Sequence, residues 1–316
     1  MAARAMNFGS YPRPDSLVKV LKKSLGLQKH PKARPGPEVS KAYDRALAEV
    51  VREQKTSGVA WVTDGQLKWD DGPVSLCARL KGIEMGGLIR FADNNFYYRR
   101  PRIRGAVSWS APAFAADAKS ARRSAPRVKG VLPGPVTLAR YSEDHHYGSV
   151  ERVARAYAEA LKKEAASLER AGAKLLQFDE PALAANPKDL DLARLALAPV
   201  LKGRKATTLV SLYFGKPTQK VLSGLLEMAG GVVVDATSDG VPLPKMEGRV
   251  LALGCVNGRN TKMEDPAAVR ARVQKIAAKA KPAELLITSS CGLEFIPRAV
   301  AKRKLVLLSR VAKGVS

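Results

Sequence analysis

The chain has 316 residues, 46% of them apolar, and 54 Lys and Arg against 29 Asp and Glu, a net charge of +25. That length fits one large barrel or two modest domains. No apolar run reaches the roughly 18 residues of a membrane helix, and the opening MAARAMNFGSYPRP lacks the apolar stretch of a secretory leader. Cys77, Cys255 and Cys291 have no close spacing. They argue against a disulfide framework and for a reducing, cytoplasmic setting.

The first strand is expected over residues 5–9. It ends in GSYPRP, where Gly9-Ser10 turn the chain and Pro12 and Pro14 break any helix. Leu17, Val18, Leu21 and Leu25 have helical spacing behind Asp15, a cap candidate. QKHPKARPGPE over 28–38 is a loop, and 39–55 is helical again. A strand over 59–63 runs into TDGQLKWDD. Residues 80–110 alternate and are rich in aromatic and β-branched types, with Asn94-Asn95 near their centre, which predicts a β-hairpin. An exposed helix is expected over 115–126 and a strand over 128–132, ending in PGPVT.

From residue 149 the rhythm is regular. Helices are expected at 149–171, 190–201, 222–229 and 267–280, the last with Asp265-Pro266 as cap and first position. Strands are expected at 174–178, 207–212, 232–235, 250–255 and 285–288, and a basic amphipathic helix closes the chain. Eight short apolar strands, mostly alternating with helices, predict an α/β fold. Its form is a single (β/α)8 TIM barrel spanning 1–316, with a β-hairpin and helical insertion around 80–125. The turns that follow the strands then converge on one face. They bring together Gly9-Ser10, Asp64, Gly134, Asp179-Glu180, Tyr213, Asp235, Asn257 and Cys291.

The sharpest local signal is QFDEP, a short apolar run that stops on two carboxylates, Asp179 and Glu180, and then Pro181. These acids could bind an amine, serve as acid and base, or simply cap the next turn. Gly9 and Ser10 can offer N–H groups and a hydroxyl to a carboxylate. Tyr141 and Trp69 are either flat surfaces for a ring or core residues. Asn257 and Arg259 in VNGRN can hydrogen-bond a polar ligand. Cys291 is a metal ligand, a nucleophile or a structural cysteine. His145-His146 could join it on zinc, although adjacent histidines point apart. Cationic residues attract polyanions, but here they are dispersed, without helix-turn-helix, paired-aromatic or zinc-knuckle spacing. We therefore expect small-molecule substrates, no membrane partner and no specific nucleic-acid partner.

GSYPRP, TDGQLKW, GPVTLARYS, QFDEPAL, VNGRN and TSSCGL occur in the order seen in cobalamin-independent methionine synthases, and the resemblance spans about Phe8 to Pro297. The chain resembles a single-barrel relative of that family. The resemblance implies transfer of a methyl group from a methylated folate, or another donor, to the homocysteine thiol, in methionine biosynthesis. It also implies a zinc ion that stabilises the thiolate. By position, Phe8, Gly9 and Ser10 match the segment that binds the homocysteine carboxylate. Asp179 matches the acid that binds its amine, with Asp64, Gln66 and Glu180 alongside. Tyr141 stands where the family stacks a Trp on the pterin, and Asn257 and Arg259 fall on the folate side.

Several positions depart from the pattern. Ser211-Leu212-Tyr213 stand in place of the family's His-x-Cys pair, and Gln66 replaces the carboxylate of its DGE motif. The zinc-binding Glu falls at Asp235 or Ala236, so Cys291 and Asp235 are all that remains of a metal set. YFG, VNGRN and TSSCGL resemble the family's zinc-free N-terminal barrel, whereas GSYPRP resembles its catalytic one. Two readings follow: a methyltransferase with an incomplete zinc site, or a non-catalytic barrel that binds folate or partners a separate catalytic methionine synthase chain.

Overall fold

The short apolar runs become strands because each is flanked by turn formers and its side chains are removed from water on both faces, as parallel strands require. The computed structural model describes residues 2–25, 36–91, 96–238 and 240–315. Its strands are β1 (Arg4–Ala5), β2 (Lys81–Arg90), β3 (Tyr97–Ser108), β4 (Lys129–Pro133), β5 (Glu143–Asp144), β6 (Leu175–Asp179), β7 (Thr207–Leu212), β8 (Gly231–Asp235), β9 (Val250–Val256) and β10 (Glu284–Ser289). Its helices are α1 (Asp15–Leu25), α2 (Pro37–Thr56), α3 (Ala115–Ser124), α4 (Pro135–Tyr141), α5 (Val150–Arg170), α6 (Pro181–Ala185), α7 (Leu190–Ala196), α8 (Ala198–Leu201), α9 (Gln219–Leu226), α10 (Pro266–Ala280) and α11 (Arg298–Lys313). The predicted Asn94-Asn95 turn and most of the 28–38 loop lie outside the described residues.

Seven strands form one sheet in the order β1-β10-β9-β8-β7-β6-β4. Isolated parallel bridges Met6–Trp61 and Val62–Val128 set the predicted 59–63 strand between β1 and the approach to β4. It provides the remaining stave of the (β/α)8 fold but is only a pair of bridges. Its ladder is interrupted because the Thr63 N–H donates to the side-chain oxygen of Gln54 instead of to a neighbouring strand, at 2.9 Å. β1 is likewise shorter than the expected 5–9: after Asn7 the chain is held by side chains and turns away.

The chain forms two compact units, Met1–Lys68 with Asp117–Lys129 and Val233–Ser316, and Trp69–Ala116 with Gly130–Val232. In the first, Asp265 caps α10 as expected, accepting from Ala268 N at 2.9 Å. Asp15 opens α1 as its first residue, where its charge favours the helix's positive end.

In the second unit, α5 buries Val153, Ala154, Tyr157, Leu161 and Leu168, while Val150, which the same helical spacing sets with them, is half-buried. The expected 190–201 helix is two helices, because Pro199 has no N–H to continue the first. The predicted hairpin is β2 against β3, with β5 added parallel to β3. Gly82 takes φ +80, and a Cβ there would strike the Ala106 carbonyl, so the crossing of the ribbon requires glycine. The hairpin is tied down by buried Asp71, which accepts from the Arg99 N–H at 3.0 Å and pairs with its guanidinium at 2.9 Å. Segment 109–114 is fastened by Glu164, a carboxylate with no exposed surface, which accepts from Trp109 Nε1 at 2.7 Å and from Phe114 N at 2.9 Å. The helix expected to be exposed at 115–126 is α3, which belongs to the first unit from Asp117 on and buries Ala118 and Ala121.

Candidate functional site

In the first unit, the segment after β1 has an unusual hydrogen-bond pattern. The Phe8 carbonyl accepts from the ammonium of Lys129, a lysine only 1% exposed. The Gly9 carbonyl accepts from Asn7 Nδ2 at 3.1 Å and from the Thr63 hydroxyl. Lys129 Nζ also stands 5.8 Å from the Phe8 ring centroid. The carbonyls are thus turned toward the protein and a buried positive charge lies behind them. Among the described residues, the Gly9 and Ser10 N–H groups have no protein acceptor. Donors without acceptors, backed by a cation, make a site for a carboxylate.

The 63–66 turn is locked to this segment. Tyr11 N donates to the Gly65 carbonyl at 3.0 Å, and Asp64 Oδ1 accepts from Gln66 N at 3.0 Å. Gly65 and Gln66 take φ of 70° and 51°, so the turn aims Asp64 rather than continuing a strand. Asp64 keeps some open surface, yet the protein packed around it, with help from Asp117, pushes its carboxyl up to about 6.

Cys291 and Gly292 also meet this segment. A Cβ on Gly292 would overlap the Ser10 hydroxyl, and Leu293 N donates to the Ser10 carbonyl at 3.1 Å. Cys291 has no exposed surface, and burial pushes its thiol well above the ordinary range, so it is a neutral thiol at pH 7. Asn257 uses its side chain on its own turn, accepting from Arg259 N at 2.8 Å. Asp235 Oδ1 accepts from the N–H and hydroxyl of Thr237, at 2.9 and 2.7 Å.

In the second unit, β6 delivers Asp179 and Glu180 at its carboxyl end, as the sequence indicated. Asp179 is 6% exposed and accepts from Gln177 Nε2 at 2.7 Å. Glu180 is fully buried and serves as a clamp. Its carboxylate accepts from Val136 N at 2.9 Å, Thr137 N at 2.7 Å and the Thr137 hydroxyl at 2.6 Å, holding the first turn of α4. Burial pushes it up to about 7 against the pull of those three donors.

Tyr141 belongs to an aromatic cluster. Tyr98 from the hairpin stacks on it, with centroids 5.6 Å apart and planes at 26°. Phe91 meets it edge-on at 5.8 Å. Trp69 packs on Phe114 at 4.9 Å. Both rings are engaged in packing and each is half-buried. His145 faces Glu143 at 2.8 Å on an exposed turn that Asp144 organises through the N–H groups of His146, Tyr147 and Gly148.

Among the described residues, no three His, Cys, Asp or Glu side chains are placed to hold a metal. The donor chemistry agrees: Ser211 is a buried hydroxyl and Asp235 is bound to Thr237. The residues present do not fit a zinc ion.

Sequence reasoning missed Lys129, Asn7, Thr63 and Thr137, the groups that aim the site rather than face a ligand. A lone lysine opening the apolar strand KGVLP was the one visible signal.

Residues 79–281 match the family profile described as cobalamin-independent synthase, N-terminal domain. The chain is 27% identical to the methionine synthase of Sulfurisphaera tokodaii over 313 residues, covering 97% of this chain and 90% of that one. It is also 27% identical to that of Pyrococcus furiosus over 320 residues, covering 97% and 91%. Among solved structures, a B12-independent methionine synthase from Shewanella, in complex with selenomethionine, superposes with a TM-score of 0.84 at 23% identity, covering 99% of this chain and 97% of that one. A putative vitamin-B12-independent methionine synthase from Listeria monocytogenes gives 0.78 at 17% identity, covering 100% and 99%. These two likenesses establish the fold.

Proposed function

The chain belongs to the cobalamin-independent synthase family, and from that premise we propose that it is a methyltransferase of methionine biosynthesis, acting on the thiol of homocysteine. The observation that carries this reading is the turn at Gly9 and Ser10, whose N–H groups have no acceptor among the described residues and which, with buried Lys129, suits the carboxylate of an amino acid. Gly9, Ser10 and the Ser10 hydroxyl hold that carboxylate. Asp64 takes the thiol proton, its carboxyl at about 6 being poised for base chemistry near neutrality. The sulfur lone pair then bonds the methyl carbon as the bond from that carbon to the donor breaks, leaving its electron pair on the donor.

A methylated folate is the donor in this reading. Its pterin stacks on Tyr141 after Tyr98 has moved aside. No step is assigned to zinc, because the donor set does not suit it.

The same mismatch favours a second reading, a zinc-free barrel that binds homocysteine or folate and assists a separate catalytic chain. Incubating the purified protein with homocysteine and methyltetrahydrofolate, and measuring methionine, decides between them. Methionine that accumulates in proportion to protein supports the enzyme. Homocysteine binding without turnover supports the assisting barrel. Absence of both binding and turnover overturns both readings.

A further inference from the structure

We propose that the first unit carries a second, separate anion site for a small phosphomonoester, in the cleft between α10 and the turn after β8. It does not rest on the methyl-transfer reading.

The cleft is an open one of about 580 Å³, lined by Thr237, Ser238, Ala268, Ala271, Arg272 and Lys275. That volume falls within the range of small-molecule sites. Arg272 and Lys275 are three residues apart on α10, so their side chains share a face. Ala268 and Ala271 are the smallest side chains that keep a helix, and they leave both cations accessible.

The opposite wall is preorganised. Asp235 fixes Thr237 through its N–H and hydroxyl, and Arg272 Nη1 donates to the carbonyls of Ala236 and Thr237. Arg272 is therefore fixed by the wall it faces. Among the described residues, its remaining N–H groups, Lys275 Nζ and the Ser238 hydroxyl have no protein partner, and neither cation has a carboxylate. Two cations without a carboxylate partner and a hydroxyl in one cleft match the charge and acceptor count of a phosphate dianion. Among the described residues no aromatic side chain lines the cleft, so a nucleobase gains no stacking from them. The ligand body is a sugar or polyol.

Calorimetric titration of the full chain in low-salt buffer tests this, with inorganic phosphate, glycerol 3-phosphate and glycerol as probes. Both phosphates are expected to bind one site and compete, while glycerol gives no heat. Lys275→Gln should weaken binding about tenfold and Ser238→Ala about threefold, with unfolding temperatures unchanged, since both residues are exposed. Lys129→Met should leave this site untouched, which separates it from the Phe8–Ser10 segment. Added salt should weaken binding. The proposal is overturned if phosphate gives no heat, or if Lys275→Gln binds as the wild type does. It is also overturned if citrate binds more tightly with the same dependence on Lys275. Because no turnover is read, failure of methionine formation leaves this result standing.

Discussion

Replacing Lys129 with methionine tests the carboxylate site directly. The aliphatic stem is kept, while the ammonium that faces the Phe8 carbonyl is removed. Two costs follow. The buried carbonyl loses its donor, worth about 1–3 kcal/mol of stability. A carboxylate on the Gly9 and Ser10 N–H groups loses its backing charge. Taking a charge separation of about 6 Å and an effective dielectric of about 20 gives roughly 2.8 kcal/mol, about a hundredfold in affinity. The assay is calorimetric titration with homocysteine and with 3-aminopropane-1-thiol, which lacks the carboxylate. Wild-type protein should prefer homocysteine, and Lys129→Met should cut that preference by about two orders of magnitude. Thermal unfolding of the variant verifies that it is folded at the assay temperature. If Lys129→Met retains homocysteine affinity within about threefold, the charge does not serve a carboxylate and the reasoning fails.

Glu180 predicts a pH dependence. Its folded value of about 7 lies above the ordinary 4.5, so the folded state binds the proton more tightly. Stability should therefore be greatest below pH 4.5 and fall as pH rises through 7, by on the order of 3 kcal/mol. Urea midpoints between pH 5 and 8 should show that slope in the wild type and lose it in Glu180→Gln. A flat wild-type profile would refute the assignment. Gly134→Ala places a methyl against the Glu180 carboxyl. Overpacking of about 1–3 kcal/mol should lower the urea midpoint, and an unchanged midpoint would show that the clamp is slack. Tyr98→Ala should uncover Tyr141 and strengthen folate quenching of its fluorescence, and equal or weaker quenching would remove Tyr141 as the stacking ring. Chelator treatment should leave the unfolding temperature unchanged, with substoichiometric zinc by elemental analysis. One zinc per chain would show that a donor set assembles after all.

The sequence by itself determined the staves and their order. Apolar runs bounded by Gly, Pro and acids have few alternatives, and Asp265-Pro266 opens α10 by local chemistry alone. It also placed Asp179 and Glu180 at a strand end. Their roles were not legible. That Glu180 is a clamp depends on Val136 and Thr137, more than forty residues away in the chain. Tyr98 covers Tyr141 because a hairpin from another part of the sequence packs there. Free N–H groups at Gly9 and Ser10 exist only because Lys129 and Thr63 take the adjoining carbonyls. Periodicity and turn chemistry are local and survive in one dimension. Hydrogen-bond satisfaction and burial are settled between residues remote in sequence, so only the tertiary structure decided which polar groups face a ligand.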